Sequence, residues 1–461
     1  MSTLEHHSAS SPGSVQESGG ADHATGIVPL EARRGPVFMG LLWITMVTGL
    51  TTLSLGLQFH DRGLGLVDTL KGCVAGAAML LVYTAIAAFL GAATGQTYAL
   101  LTRSIFGKLG SYLVSAILVV ISLGWFGFQA AFLARLLDPL LGFGGHLVVP
   151  TAVCALLMGI TNYFGFSGVA NYARYVAAPI LILLVLASAV QITQGGLAPL
   201  LAHVPPAVSD PTSVVQVAGL VMGFGIWGNE PDFWRFGRPD WREPILPLAI
   251  AMATGLVLFP LVGWGIAALA GAHSDHDAAL YLTRTVMQGA VPLAVLIFGA
   301  IQISNNDPNL YEAVNALENV TQWPRRAVVV VLWAIGIAAA LGLGALEGAL
   351  FLVSGITSVL VPTATVIMAA DCFLLPRLFG VRRQMDRVPT WSETAERNVP
   401  GIIALVAGAL VGVYTNGSIP GFGPGIVGIP PLQAWGVALG VYLLMVSFVR
   451  RSPRWLGHPG S

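Results

Sequence analysis

Charge is what this chain has least of. Asp, Glu, Lys and Arg make up 10% of its 461 residues, against roughly 25% in soluble domains. With 55% of the residues hydrophobic, a chain this long cannot hide its apolar surface in a water-soluble core. It is read as integral to a bilayer. Lysine is nearly missing, since 20 of the 22 basic residues are Arg. Net charge is zero, which excludes the basic footprint of a nucleic-acid partner. Cysteine is scarce too. Cys73, Cys154 and Cys372 lie in apolar segments with no ligand spacing and no disulfide framework. An intramembrane enzyme would need clustered acids, bases or metal ligands at one depth. The apolar segments have none, so the chain is not read as an enzyme, and no cofactor is implied.

What is present is a succession of apolar runs. A spanning helix needs about 20 such residues. Twelve segments qualify, approximately 36–58, 65–91, 111–136, 147–168, 174–193, 213–230, 244–271, 289–316, 326–346, 349–374, 399–416 and 431–449. The fold class is therefore an all-α integral membrane protein with 12 spans. Residues 1–32, rich in Ser, Gly and His, read as a disordered tail. The membrane domain covers 33–450, and 451–461 form a second tail. Arg33-Arg34 flanks the first span; the apolar run after it is too long for a cleaved signal.

Orientation follows from the arginines. With the N-terminus in the cytoplasm, 18 of the 22 basic residues fall in cytoplasmic segments. Arg62, Arg135 and Arg284 fall outside, and Lys71 sits near the outer end of span 2. This is the positive-inside pattern, and it places both termini in the cytoplasm, with the chain in the plasma membrane. The run Thr415–Pro431 reads as an external loop. Arg382–Arg397 is the longest charged cytoplasmic loop, read as a solvated connector.

Helix breakers interrupt two spans. Span 1 contains WITMVTGLTTLSLG, Trp43–Gly56, with five hydroxyls or glycines between Thr45 and Thr52. Span 6 contains GFGIWGNEP, Gly223–Pro231. Broken backbone at membrane depth persists only where it lines a cavity, and transporters of inverted repeats place such breaks at their binding sites. The two spans open two units of five helices, about 36–193 and 213–374. Five is odd, so the units would enter the membrane in opposite senses; the helices at about 399–449 are left over. Taken alone, span 1 also fits plain helix packing through small residues.

Two further spans carry polarity inward. Span 3 contains SLGWFGFQAAF, Ser122–Phe132, with Trp125 and Gln129 four apart on one helical face. A mid-span Trp beside a Gln suits a flat heteroaromatic ligand, one group stacking and the other offering a donor and an acceptor. Trp227 could supply a second stacking ring. The plainer alternative is a packed Trp and a helix-bridging Gln. Span 8 contains AIQISNNDPNLYEA, Ala300–Ala313, costly polarity for lipid. Ser304 and Asn305 offer neutral oxygens for a small cation. Asn306 and Asp307 alternatively cap a kink at Pro308. Glu230 and Asp232, near Arg235 and Arg238, read as a surface ion-pair cluster or an inner gate. His273, Asp275, His276 and Asp277 form an external cluster, a solvated loop before a metal site. Asp68 and Lys71 form an i,i+3 pair.

Four segments together resemble the nucleobase–cation symporter family in its bacterial cytosine/purine permease branch. They are Ala93–Ser111, GWFG at Gly124–Gly127, PDFWRFGR at Pro231–Arg238 and NDPNLY at Asn306–Tyr311. The resemblance spans about 34–450. It implies a LeuT-type fold, a 5+5 inverted repeat plus two C-terminal helices, working by alternating access. It further implies that Trp125 stacks on a flat heterocycle and Gln129 bonds it, with Phe224, Gly225 and Trp227 opposite and Gln302 and Asn306 at the site. A cation, sodium or proton, would sit among Thr45, Thr48, Ser304 and Asn305. Three positions depart from cytosine-type members. Ser304-Asn305 replaces two threonines, Ile301 an Asn, and Gly225 a Ser. Gln302 or Asn229 would have to replace the lost substrate bonds. The expected partners are this small molecule and the bilayer, and a monomer suffices. An amino acid or vitamin-like heterocycle is the alternative cargo; a channel fits less well, because one polar locus at paired breaks suits alternating access.

Overall fold

Thr48 and Gly49 interrupt the first span as its composition predicts. Helix α1, Pro36–Val47, ends there, and α2, Leu50–Asp61, resumes with a bend of 48°. Both linking residues are extended, with φ −103° and −131°, so carbonyls at the end of α1 lose their donors four residues on. The structure, a computed structural model, describes residues 23, 25–206, 213–225, 230–344, 349–417, 419, 421–450 and 453–457.

The chain continues through α3 (Leu66–Thr94) and α4 (Tyr98–Leu141). Next come α5 (Val148–Met158), a 3-10 turn, α6 (Gly165–Tyr172), a π-helical turn and α7 (Ala178–Thr193). After the short α8 (Ala198–Ala202), the second broken span comprises α9 (Val214–Gly225) and α10 (Glu230–Trp234). The remaining helices are α11 (Ile245–Met252), α12 (Phe259–Ala270), α13 (Asp275–Tyr281), α14 (Val291–Thr321) and α15 (Arg325–Gly344). They are followed by α16 (Ala349–Ala369), α17 (Leu375–Leu378), α18 (Val399–Asn416), α19 (Pro430–Val449) and α20 (Pro453–Leu456).

The fold is all-helical; among the described residues the only β contacts are two isolated bridges, Arg34–Gly237 and Asn416–Ile426. Helix occupies each of the twelve predicted segments. Length and apolarity alone single out eight spans among the described residues, or nine with the bent pair α1–α2. The difference has physical causes. The predicted fourth and fifth spans run together over Val148–Thr193, turning at Gly165 with φ 63°. Helix α9 has only 12 residues, and α14 is too polar.

Helix α4 begins earlier than its apolar run. The Thr97 hydroxyl caps it by accepting from the Leu100 N–H at 3.1 Å, and Gly107, at φ 73°, kinks it. A Cβ at Gly107 would press on backbone of Ala395 and Arg397. Elsewhere close approach needs glycine between α2 and α12: a Cβ at Gly56 would overlap the Pro260 carbonyl, and one at Gly263 that of Leu53. This packing fixes the outer half of the first span against α12.

The segment 380–398 is not a solvated connector. Its polarity hides specific tertiary contacts. Arg383, 3% exposed, pairs with Asp371 at 2.6 Å and donates to the carbonyls of Ser104, Leu456 and Gly457. Gln96 donates to the Met385 carbonyl at 2.9 Å. Asn398 donates from its side chain to Ile105 O at 2.8 Å and from its backbone to Phe106 O. The segment thus straps the start of α4 to the C-terminal helices. On its exposed part, Glu393 is held at about 2 by the Thr390 backbone N–H, helped by Arg387 and the Thr390 hydroxyl.

Candidate functional site

The break in the first span faces the middle of α4 and α14, and the polar residues there converge. Trp125 and Gln129 of α4, Phe224 of α9 and Asn305 of α14 line one pocket with Asn309. Met46, Val47, Thr51 and Thr52, around the break, form its other wall. Trp125 is buried, and its indole N–H donates to the Thr357 hydroxyl of α16 at 2.8 Å. Phe128 and Phe224 meet its ring edge-on, with centroids 5.9 and 6.2 Å away. With its N–H engaged, what Trp125 offers the pocket is ring surface.

Three carboxamides run in series beside it. Gln302 donates to Gln129 Oε1. Gln129 Nε2 donates to Asn305 Oδ1 at 2.8 Å. Asn305 Nδ2 donates to the carbonyls of Met46 at 2.7 Å and Thr45 at 3.3 Å. Ser304 donates to Thr45 Oγ1 at 3.0 Å, and Thr45 in turn donates to Leu42 O at 2.8 Å. The Thr48 hydroxyl is buried without a partner.

The expected residues therefore fall into groups. Trp125, Gln129, Phe224 and Asn305 share the pocket; Gln302 reaches it through Gln129; Thr45, Thr48, Ser304 and Asn305 gather at the break. Asn306 is turned away, donating to Phe126 O at 3.1 Å and to Met158 Sδ. Asp307 accepts from the Thr161 hydroxyl. Rather than capping a kink, these two tie α14 to its neighbours, and the helix runs unbroken through Pro308. Gly225 ends α9, while Trp227 and Asn229 lie outside the described residues. Sequence reading missed Thr357, an isolated hydroxyl in an apolar run. It also passed over Asn309, which stands inside the NDPNLY segment.

The acidic residues after the second break are not at a surface. Glu230, Asp232 and Arg235 are all buried. Asn315 donates to Asp232 at 2.9 Å, and Arg235 donates to the Tyr311 hydroxyl at 2.9 Å. Arg238, by contrast, is exposed and meets Glu243 at 3.5 Å. The gate reading therefore suits α10 better than a surface cluster, because these contacts join it to α14 across the core. The Asp68–Lys71 pair forms at 2.9 Å in solvent.

On the opposite face, the cluster around His273 is more than a solvated loop. His273 Nδ1 meets Asp61 Oδ1 at 2.7 Å. His60, at the end of α2, faces His203 with their Nε2 atoms 2.9 Å apart. Asp275, half-buried, accepts from the Ser54 hydroxyl. Among the described residues no group of three or more His, Cys, Asp or Glu is placed to hold a metal ion. The His60–His203 contact needs one donor and one acceptor.

A broken first span facing α4, α9 and α14 over a buried aromatic and carboxamide pocket is the arrangement secondary transporters use at their binding sites. The chain belongs to the family of permeases for cytosine/purines, uracil, thiamine and allantoin, whose model it matches over residues 28–436. It is similar to the cytosine permease of Escherichia coli K12, 31% identical over 329 residues, which cover 69% of this chain and 74% of that protein. In fold it is similar to Mhp1, a nucleobase-cation-symport-1 family transporter solved closed with bromovinylhydantoin bound. The TM-score is 0.74 at 16% identity, covering 93% of this chain and 96% of that one. A Na+-coupled sialic acid symporter in an outward-open state gives 0.64 at 12% identity, covering 90% of each. The relatives are transporters, not enzymes, and the LeuT-type fold expected from the sequence is the one observed.

Proposed function

We propose that this chain carries a nucleobase such as cytosine or a purine, or a related flat heterocycle, across the plasma membrane by alternating access. Transport is symport with a cation, and both termini face the cytoplasm. A single copy holds the whole site. The observation that carries the reading is Trp125, whose ring lines the pocket while its N–H is spent on Thr357. Trp125 stacks on the substrate, Gln129 bonds it, and Phe224, Gly225 and Trp227 supply the facing wall. Gln302 acts through Gln129, and Asn306 acts as framework. Thr45, Thr48, Ser304 and Asn305 gather at the first break, where coupling to the cation would act. An amino acid is disfavoured, because no ionisable side chain lines the pocket and a zwitterion would lack its counter-charges.

The test is uptake of radiolabelled cytosine, adenine, hypoxanthine, uracil, thiamine and allantoin into cells expressing the chain. Uptake of one of them above that in cells lacking the chain supports the reading. No uptake of any, from a chain that reaches the membrane, overturns it.

A further inference from the structure

The first break frees the carbonyls of Thr45 and Met46, and it is the Asn305 side chain that takes them, with its nitrogen. Both carbonyls accept from Nδ2, whereas the oxygen points away, accepting from Gln129. The downstream bonds fix this polarity. Turning the Asn305 carboxamide over would set its oxygen against two carbonyl oxygens and its NH2 against the NH2 of Gln129. The carboxamide also fills the break: a Cβ on Gly49 would lie 2.6 Å from Asn305 Oδ1, 2.7 Å from its Cγ and 3.0 Å from its Nδ2. The carboxamide is therefore pressed into the gap between α1 and α2.

A sodium ion held here would need those carbonyl oxygens and an oxygen from Asn305 directed at the same point. The residues present do not fit that ion. We propose that the Asn305 carboxamide is a built-in substitute for a sodium ion at the first break, and that transport by this chain does not depend on sodium. The N–H groups supply, permanently and by hydrogen bonding, the positive partner that the freed carbonyls require. This deepens the reading of the chain as a cation-coupled transporter and rests on it: a cation other than sodium would drive transport.

Sodium binding is testable without knowing the substrate. Thermal unfolding of the purified full chain would be compared in sodium chloride and potassium chloride at equal ionic strength. A ligand that binds only the folded state raises the midpoint. The wild type is expected to unfold at one temperature in both salts. Asn305→Thr and Asn305→Ser remove the amide and leave a hydroxyl beside Ser304; they are expected to gain a sodium-specific upward shift. A sodium-specific shift in the wild type overturns the proposal. So does the lack of one in both variants, provided they still unfold cooperatively. Once a substrate is found, uptake should be unchanged when choline replaces sodium, and a loss of uptake overturns the proposal. Failure to find any transported heterocycle would count against the functional reading alone, because the salt comparison decides sodium binding without a substrate.

Discussion

Replacing Trp125 with alanine should cut transport by roughly 5- to 150-fold, the equivalent of about 1–3 kcal/mol for one ring stacked on a base. The loss should appear in substrate affinity, with the protein still reaching the membrane. Trp125→Phe separates two contributions. It keeps an aromatic face but abandons the hydrogen bond to Thr357, a net loss of about 0.5–1.5 kcal/mol. Transport should therefore rank wild type, then Phe, then Ala. If alanine transported as well as the wild type, the ring would be ordinary packing and the pocket would have to be sought elsewhere. Equal losses for Phe and Ala would make the Thr357 contact, rather than stacking, the essential part.

The second large effect is expected far from the pocket. Asp371 and Arg383 are 1% and 3% exposed and pair at 2.6 Å, while the other oxygen of Asp371 accepts from the Tyr442 hydroxyl. Asp371→Ala leaves a buried guanidinium without its counter-charge, which typically costs about 3–5 kcal/mol. Purified variant should unfold at a markedly lower temperature and aggregate sooner on size-exclusion chromatography. Pairing Asp371→Leu with Arg383→Met removes both charges together and should recover much of the loss, because an apolar replacement of a buried pair is often close to neutral. A single variant as stable as the wild type would mean that water reaches Arg383, contrary to its burial.

Much of this architecture was legible in the sequence because lipid makes one demand very loudly. Polar or helix-breaking residues within an apolar run must be accounted for. Thr48-Gly49 therefore announced the first break, and Trp125 with Gln129 stood out as residues that line one pocket. Elsewhere the signal was local and the cause was tertiary. Glu230, Asp232 and Arg235 sit near a span end, which reads as water; only the packing of α10 against α14 shows that they are inside. Arg383 and Met385 sit in a stretch whose composition suits solvent, yet their partners lie some 280 residues earlier. The start of α4 was hidden because TRSIFGKLGS carries charges and glycines, and the helix there depends on the Thr97 cap. Asn305 shows the deepest limit. A carboxamide is both donor and acceptor, so the sequence could place it at the break but could not say which end would face the carbonyls.

The strap also bears on the order of biogenesis. Arg383 closes on the carbonyls of Leu456 and Gly457, which are made only after α19, the last of the described candidate spans. Helix α4 and the strap can be in place while the guanidinium still lacks these last acceptors. That end of the bundle is then sealed by the final residues of the described chain to emerge from the ribosome. A tag fused close behind Gly457 would interfere with that closing step.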